Sequence, residues 1–115
     1  MAHDDVQGAF SNQILELRRG AIVLAILSQL RAPRYGYALL QQLESSDFVV
    51  DAGTLYPLLR RLERQGALES CWDTSEGRPR KYYRLSADGA ILYRQLLDEW
   101  VQITKSIERM TQEDV

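Results

Sequence analysis

Cysteine and histidine are almost missing from this 115-residue chain, which holds one of each, Cys71 and His3. A lone cysteine cannot close an intrachain disulfide, so a reducing compartment is the expectation. One thiol and one imidazole far apart in sequence cannot assemble a zinc site within a chain, and no metal or cofactor is expected. No Ser/His/Asp or Cys/His pairing is available, and no glycine-rich phosphate loop follows a strand, so an enzyme is not expected. No apolar run approaches the ~20 residues of a membrane-spanning helix. The start, MAHDDVQGAF, carries two acidic residues where a signal peptide needs positive charge. A cytoplasmic protein is expected.

What remains is ordinary for a globular chain, with 45% hydrophobic residues, 26% charged residues and a net charge of −2. No repeat, low-complexity tract or long linker divides it, so it reads as one domain with an association element. A helix is expected from about Phe10 to Leu30, broken or bent near Gly20, with Phe10, Ile14 and Leu17 forming a stripe. AIVLAILSQL is apolar nearly all round and makes the central core helix. RAPR stops it at Pro33. YGYALLQQLE is a second helix with Leu39, Leu40 and Leu43 inward. GTLYPLLRRLERQG is a third, ended by Gly66 in the left-handed region.

The period then changes. ALESCWD and RKYYRL alternate like strands around TSEGRP, which predicts a hairpin with a basic tip. Leu68, Ser70 and Trp72 share one face of the first strand, leaving Cys71 outside as an inert thiol. Tyr83 points to the core and Tyr82 away from it. Ser86 caps a last helix running to about Met110, with Asp88 near its positive end. Its apolar positions Tyr93, Leu96, Trp100, Ile103, Ile107 and Met110 are spaced as a coiled-coil seam. At 1.5 Å per residue such a rod is roughly 36 Å long and needs a partner.

The expected fold is mainly α with a small β-hairpin, a winged helix-turn-helix followed by a long C-terminal dimerisation helix. Residues 1–9, including His3, are expected to be disordered, 10–86 to form the winged domain, 87–110 the dimerisation helix and 111–115 a tail. Homodimerisation is expected through the last helix, aided by Phe10, Ile14 and Leu17.

The third helix divides into two faces. Leu55, Leu58, Leu59 and Leu62 fall within roughly 100° of one another at ~100° per residue. Opposite them lie Gly53, Pro57, Arg60 and Arg64, with Arg61 and Tyr56 on the shoulders. Gly53 lets a backbone approach closely, and Pro57 is tolerated near the helix start. Thr54 and Tyr56 offer hydroxyls near the end that enters a major groove. The arginines suit phosphates or guanine edges. Between Ala52 and Leu85 seven basic residues (Arg60, Arg61, Arg64, Arg78, Arg80, Lys81, Arg84) face four acidic ones (Glu63, Glu69, Asp73, Glu76), a local net of +3 in an acidic chain. A solvated arginine face on a core helix would account for the helix alone. The basic wing beside it, with Arg78, Arg80 and Lys81, points to double-stranded DNA.

GTLYPLLRRLERQG, the wing EGRPRKYYRLSADG and the segment YGYALLQQL together resemble the N-terminal domain of the PadR family of transcriptional regulators, over roughly residues 18 to 90. The resemblance implies a homodimeric winged-helix repressor on a palindromic operator. One helix after the wing is similar to the short subfamily, and DEWVQITKSIE resembles the tail of its lactococcal multidrug-binding regulator. There the tryptophan matching Trp100 forms a flat aromatic drug site at the dimer interface, which here would include Leu97 and Thr104. That regulator has an acidic residue where this chain has Thr104, so no preference for cationic ligands carries over.

Some readings stay open from the residues themselves. Trp100 is a packing residue of the dimer or also the wall of a site for a planar aromatic molecule. Tyr35 and Tyr37, flanking Gly36, are core or capping residues or phosphate donors at a helix start. The rivals to DNA binding are a winged-helix protein-interaction module and a ligand-carrying dimer without a DNA role.

Overall fold

Helix α1 (Ala2–Gln29) runs unbroken through Gly8 and Gly20. The computed structural model describes the backbone of residues 2–112 and the side chains of residues 6–112. The helix therefore starts earlier than Phe10, within the stretch expected to be disordered, and does not break at Gly20. Neither glycine is crowded, no proline interrupts the run, and one interior glycine costs only about 1 kcal/mol relative to alanine. The side chain of His3 lies outside the described ones.

Beyond α1 come β1 (Arg34–Tyr35), α2 (Gly36–Ser45), α3 (Ala52–Arg64), β2 (Leu68–Asp73), β3 (Arg80–Leu85) and α4 (Ala87–Gln112). The sheet is antiparallel in the order β1-β3-β2. Its register sets Leu68 opposite Leu85 and Asp73 opposite Arg80. The expected hairpin is thus completed by a third strand, with Arg34 opposite Tyr83 and Tyr35 opposite Tyr82. Two residues are too few to show alternation. Pro33 stands between the end of α1 and the start of β1, where the helix cannot continue.

Two Schellman turns end α2 and α3. After α3, Gly66 sits at φ 84 while Ala67 N donates to Leu62 O and Gly66 N to Glu63 O. After α2, Asp47 takes the same role at φ 60, with Phe48 N donating to Leu43 O and Asp47 N to Glu44 O. Aspartate tolerates the left-handed region better than most side chains. The core joins Ile22, Ile26, Leu27 and Leu30 of α1 to Leu39 and Leu43 of α2, and to Leu55, Leu59 and Leu62 of α3. Leu68 and Tyr83 close it from the sheet. Leu40 and Leu58 are half-buried at its margin, and so is Tyr82 on the other face of β3.

Ser86 caps α4: its Oγ accepts from Gly89 N at 2.9 Å and donates to Gly66 O at 2.5 Å. The helix then continues past Met110 to Gln112, and the rest of the expected tail, 113–115, lies outside the described residues. Twenty-six residues make a rod of roughly 39 Å. The Cα radius of gyration is 17.2 Å, against roughly 13 Å for a compact domain of about this size. The accessible surface is 8445 Å², against roughly 6,400 Å² for a folded monomer of 13.2 kDa. The excess lies along α1 and α4, where Phe10, Ile14, Leu17, Trp100, Ile103, Ile107 and Met110 are all exposed while Tyr93 and Leu96 are half-buried. No described helix is long and apolar enough to cross a membrane.

Candidate nucleic-acid interface

Helix α3 turns its leucines inward and leaves Gly53, Pro57, Arg60, Arg61 and Arg64 exposed. The two faces therefore lie as the helical period requires. Asp51 precedes the helix, and Thr54 Oγ1 donates to its carboxylate at 2.8 Å. The Thr54 hydroxyl proton is accordingly taken up locally. Tyr56 is half-buried rather than free. Its ring lies against Gly36, where an added Cβ would come within 2.6 Å of a ring carbon. Gly36 is what lets α2 and α3 approach this closely. Beside it Tyr37 stands 65% exposed at the start of α2.

The wing cations are not equivalent. Arg80 pairs with Glu76 at 2.9 Å, and its guanidinium lies 4.3 Å from the centroid of the Tyr35 ring. Lys81 pairs with Glu63 of α3 at 3.3 Å and lies 5.2 Å from the Tyr83 ring centroid. Arg84 pairs with Glu69 across the strands. Among the described residues Arg60, Arg61, Arg64 and Arg78 have no ion-pair partner. The local net charge of +3 is therefore displayed mainly by the outer face of α3 and by the wing tip. Arg80 and Lys81, expected to contact DNA, also make ion pairs within the domain.

Tyr35 is likewise drawn into a tie. Its hydroxyl donates to Asp73 of β2, and its ring meets Tyr82 edge-on at 6.0 Å. The bond to Asp73 raises the Tyr35 pKa. Asp73 is pulled down to about 2, first by the Ser75 hydroxyl, then by Tyr35 and the Ser75 amide. Tyr35 closes β1 and is also the residue that precedes α2, where its phenol proton is engaged by Asp73. Glu63, Ser70 and Asp73 were not singled out from the sequence, where a charge count treats acids only as subtraction. Ser70 did carry a sign, since it shares with Leu68 the strand face turned to α3.

Behind this surface, α1 and α4 form an open apolar groove of ≈ 200 Å³ between Leu24, Phe48, Tyr93, Leu97 and Trp100. Trp100 is 46% exposed there. Thr104 turns its hydroxyl back on its own helix, donating to Trp100 O at 2.8 Å. Cys71 is exposed on the outer face of its strand.

The sequence profile of the transcriptional regulator PadR-like family matches residues 23–95, from within α1 to within α4. A PadR family transcriptional regulator from Eggerthella lenta has a crystal structure that superposes with a TM-score of 0.81 at 44% identity, over 96% of each chain. A PadR-like transcription factor from Bacteroides fragilis superposes at 0.74 with 31% identity, over 86% of this chain and 98% of its own. A transcriptional regulator of Mycobacterium tuberculosis is 39% identical over 75 residues, 64% of this chain and 70% of that protein. Three helices, a basic wing and a long final helix, matched over most of their length by regulators of one kind, give the assignment: this chain belongs to the PadR-like family of DNA-binding transcriptional regulators.

Proposed function

We propose that the chain is a homodimeric repressor that reads a palindromic operator with α3 and grips the flanking backbone with the wing. The observation that carries the reading is the exposed, unpaired arginine row on α3, in a domain whose other cations near the wing are mostly neutralised by neighbouring acids. Such a row makes both base-edge and phosphate contacts available. A protein-interaction module would need an apolar or acidic patch in its place. The test is affinity for the DNA upstream of its own gene across a salt series, where phosphate contacts produce a steep negative slope. Affinity independent of salt and of sequence would rule the reading out.

The arginines divide by position. Arg60→Ala should cost ~1–3 kcal/mol of specific binding and little non-specific binding, if Arg60 meets a base edge. Arg78→Ala at the tip should weaken both alike and flatten the salt slope by about one contact. A change in preferred sequence caused by Arg78→Ala, seen by selection from a random DNA pool, would make the wing a reader instead.

Relief of repression by a planar aromatic ligand at Trp100 belongs to the same proposal. The groove of ≈ 200 Å³ in one chain is below the ~300–1,000 Å³ usual for a ligand site. A second copy against α4 would enlarge it and bring two indoles together. The coupling between ligand and operator is then of the usual ~1–3 kcal/mol, and reciprocal. Flat aromatic compounds should quench wild-type tryptophan fluorescence and fail to do so in Trp100→Ala, where Trp72 remains as background. Equal quenching in both proteins would leave Trp100 as packing alone.

A further inference from the structure

Two acidic residues sit where a DNA-binding surface should avoid them. Glu63 lies on α3 between Arg60 and Arg64, and Asp73 lies at the tip end of β2, beside the turn of the wing. A carboxylate beside phosphates weakens binding to any sequence. Both are held by specific partners. Glu63 Oε1 pairs with Lys81 Nζ of β3 at 3.3 Å, and Glu63 Oε2 accepts from Ser70 Oγ of β2. One side chain of the reading helix thus grips both strands of the wing. Asp73 ties the same wing to β1 through Tyr35.

The Glu63 group is about one-third exposed, as is Lys81. The Ser70 hydroxyl, and secondarily Lys81, hold the Glu63 pKa below the usual carboxylate range despite partial burial. Leu62 of α3 and Leu68 of β2 are both buried in the core. Glu63 is only half-buried and bridges α3 to the wing outside that core.

We infer that Glu63 is a positioning residue for sequence discrimination: by fastening Ser70 and Lys81 to the reading helix it sets the wing's angle, so that wing and α3 meet one duplex in one register. The inference rests on the proposed reading of DNA by α3. It predicts two effects of opposite sign. Without the carboxylate charge the surface is more favourable to any phosphate backbone. Without the grip the wing no longer holds α3 to one alignment, and discrimination falls.

The experiment uses the full-length protein and two duplexes of equal length. One is recovered by selection from a random-sequence pool with wild type, and the other is its scrambled version. For Glu63→Gln, affinity for the scrambled duplex should rise about two- to fivefold, through loss of one repelling charge. The selected-to-scrambled ratio should fall about tenfold or more, the scale of one lost base contact. Ser70→Ala breaks the same grip from the wing side with no change of charge, and should lower the ratio without raising scrambled affinity. In a Ser70→Ala/Lys81→Met background, Glu63→Gln should leave the ratio where it stands.

Should wild type itself prefer no sequence, the reading of α3 fails, and the inference with it. With wild type selective, an unchanged ratio in folded Glu63→Gln or in Ser70→Ala overturns the positioning role. An equal further fall in the Ser70→Ala/Lys81→Met background overturns it differently, by making Glu63 a direct reader of a base.

Discussion

Gly89→Ala destabilises the fold by about 3 kcal/mol or more, while the same exchange at Gly20 stabilises it by about 0.4–1 kcal/mol. A methyl group built at Gly89 falls 1.9 Å from the carbonyl oxygen of Ala67 and 2.9 Å from its carbon. Those atoms have little room to move. Ala67 is buried, its N–H closes the Schellman turn on Leu62, and its carbonyl accepts from Ser86 N at 3.1 Å. Relief requires the start of α4 to move off the root of the wing, opening the contact that Ser86 closes from the other side. Gly20 meets nothing within 4 Å, so alanine there only removes conformational freedom from the unfolded chain and improves helix propensity. Denaturant unfolding of the two variants checks the pair. Equal shifts of the same sign would mean that α4 does not cross Ala67 at this distance.

Gly89 shows what a sequence conceals. Three residues past the cap Ser86, it reads as a weak point in a helix, and only the crossing with Ala67 makes it obligatory. The features legible in advance were those with a local period or a local stop. These include the leucine face of α3, Gly66 after it, the alternation of β2 and β3, Ser86 before α4 and the 3-4 spacing along α4. Features made by contact between distant segments were not legible. Strand β1 exists because β3 offers it a free edge, and Tyr35 is drawn to Asp73, 38 positions away. For the same reason the pairing of Lys81 with Glu63, 18 positions away, was hidden, as was the approach of Arg80 to the Tyr35 ring. Arg60, Arg61 and Arg64 stayed exposed as read, because a helix face opposite four leucines has no neighbour to pair with.

The second large effect concerns the seam. Leu96 is a poor place to break it, because that side chain also packs against the domain's own core. Ile103 and Ile107, 49% and 50% exposed, lie further along α4, outside that core. The double variant Ile103→Asp/Ile107→Asp should therefore leave the winged domain folded, with unchanged far-ultraviolet dichroism. Two aspartates per helix place four unpaired charges along a paired seam, each requiring desolvation without a counter-charge. Sedimentation at micromolar concentration should show monomer for the variant and dimer for wild type. The effect on DNA is larger than any single contact can produce. A dimer that engages one half-site holds its second reading helix near the other half-site, which raises avidity by about 10²–10⁴ over one domain alone. Operator affinity should fall by that factor, while each domain keeps the contacts of Arg60 and its neighbours. A variant that remains dimeric would place the interface elsewhere. A monomeric variant with undiminished operator affinity would show that one winged domain suffices, and that the long helix serves some purpose other than spacing two readers on DNA.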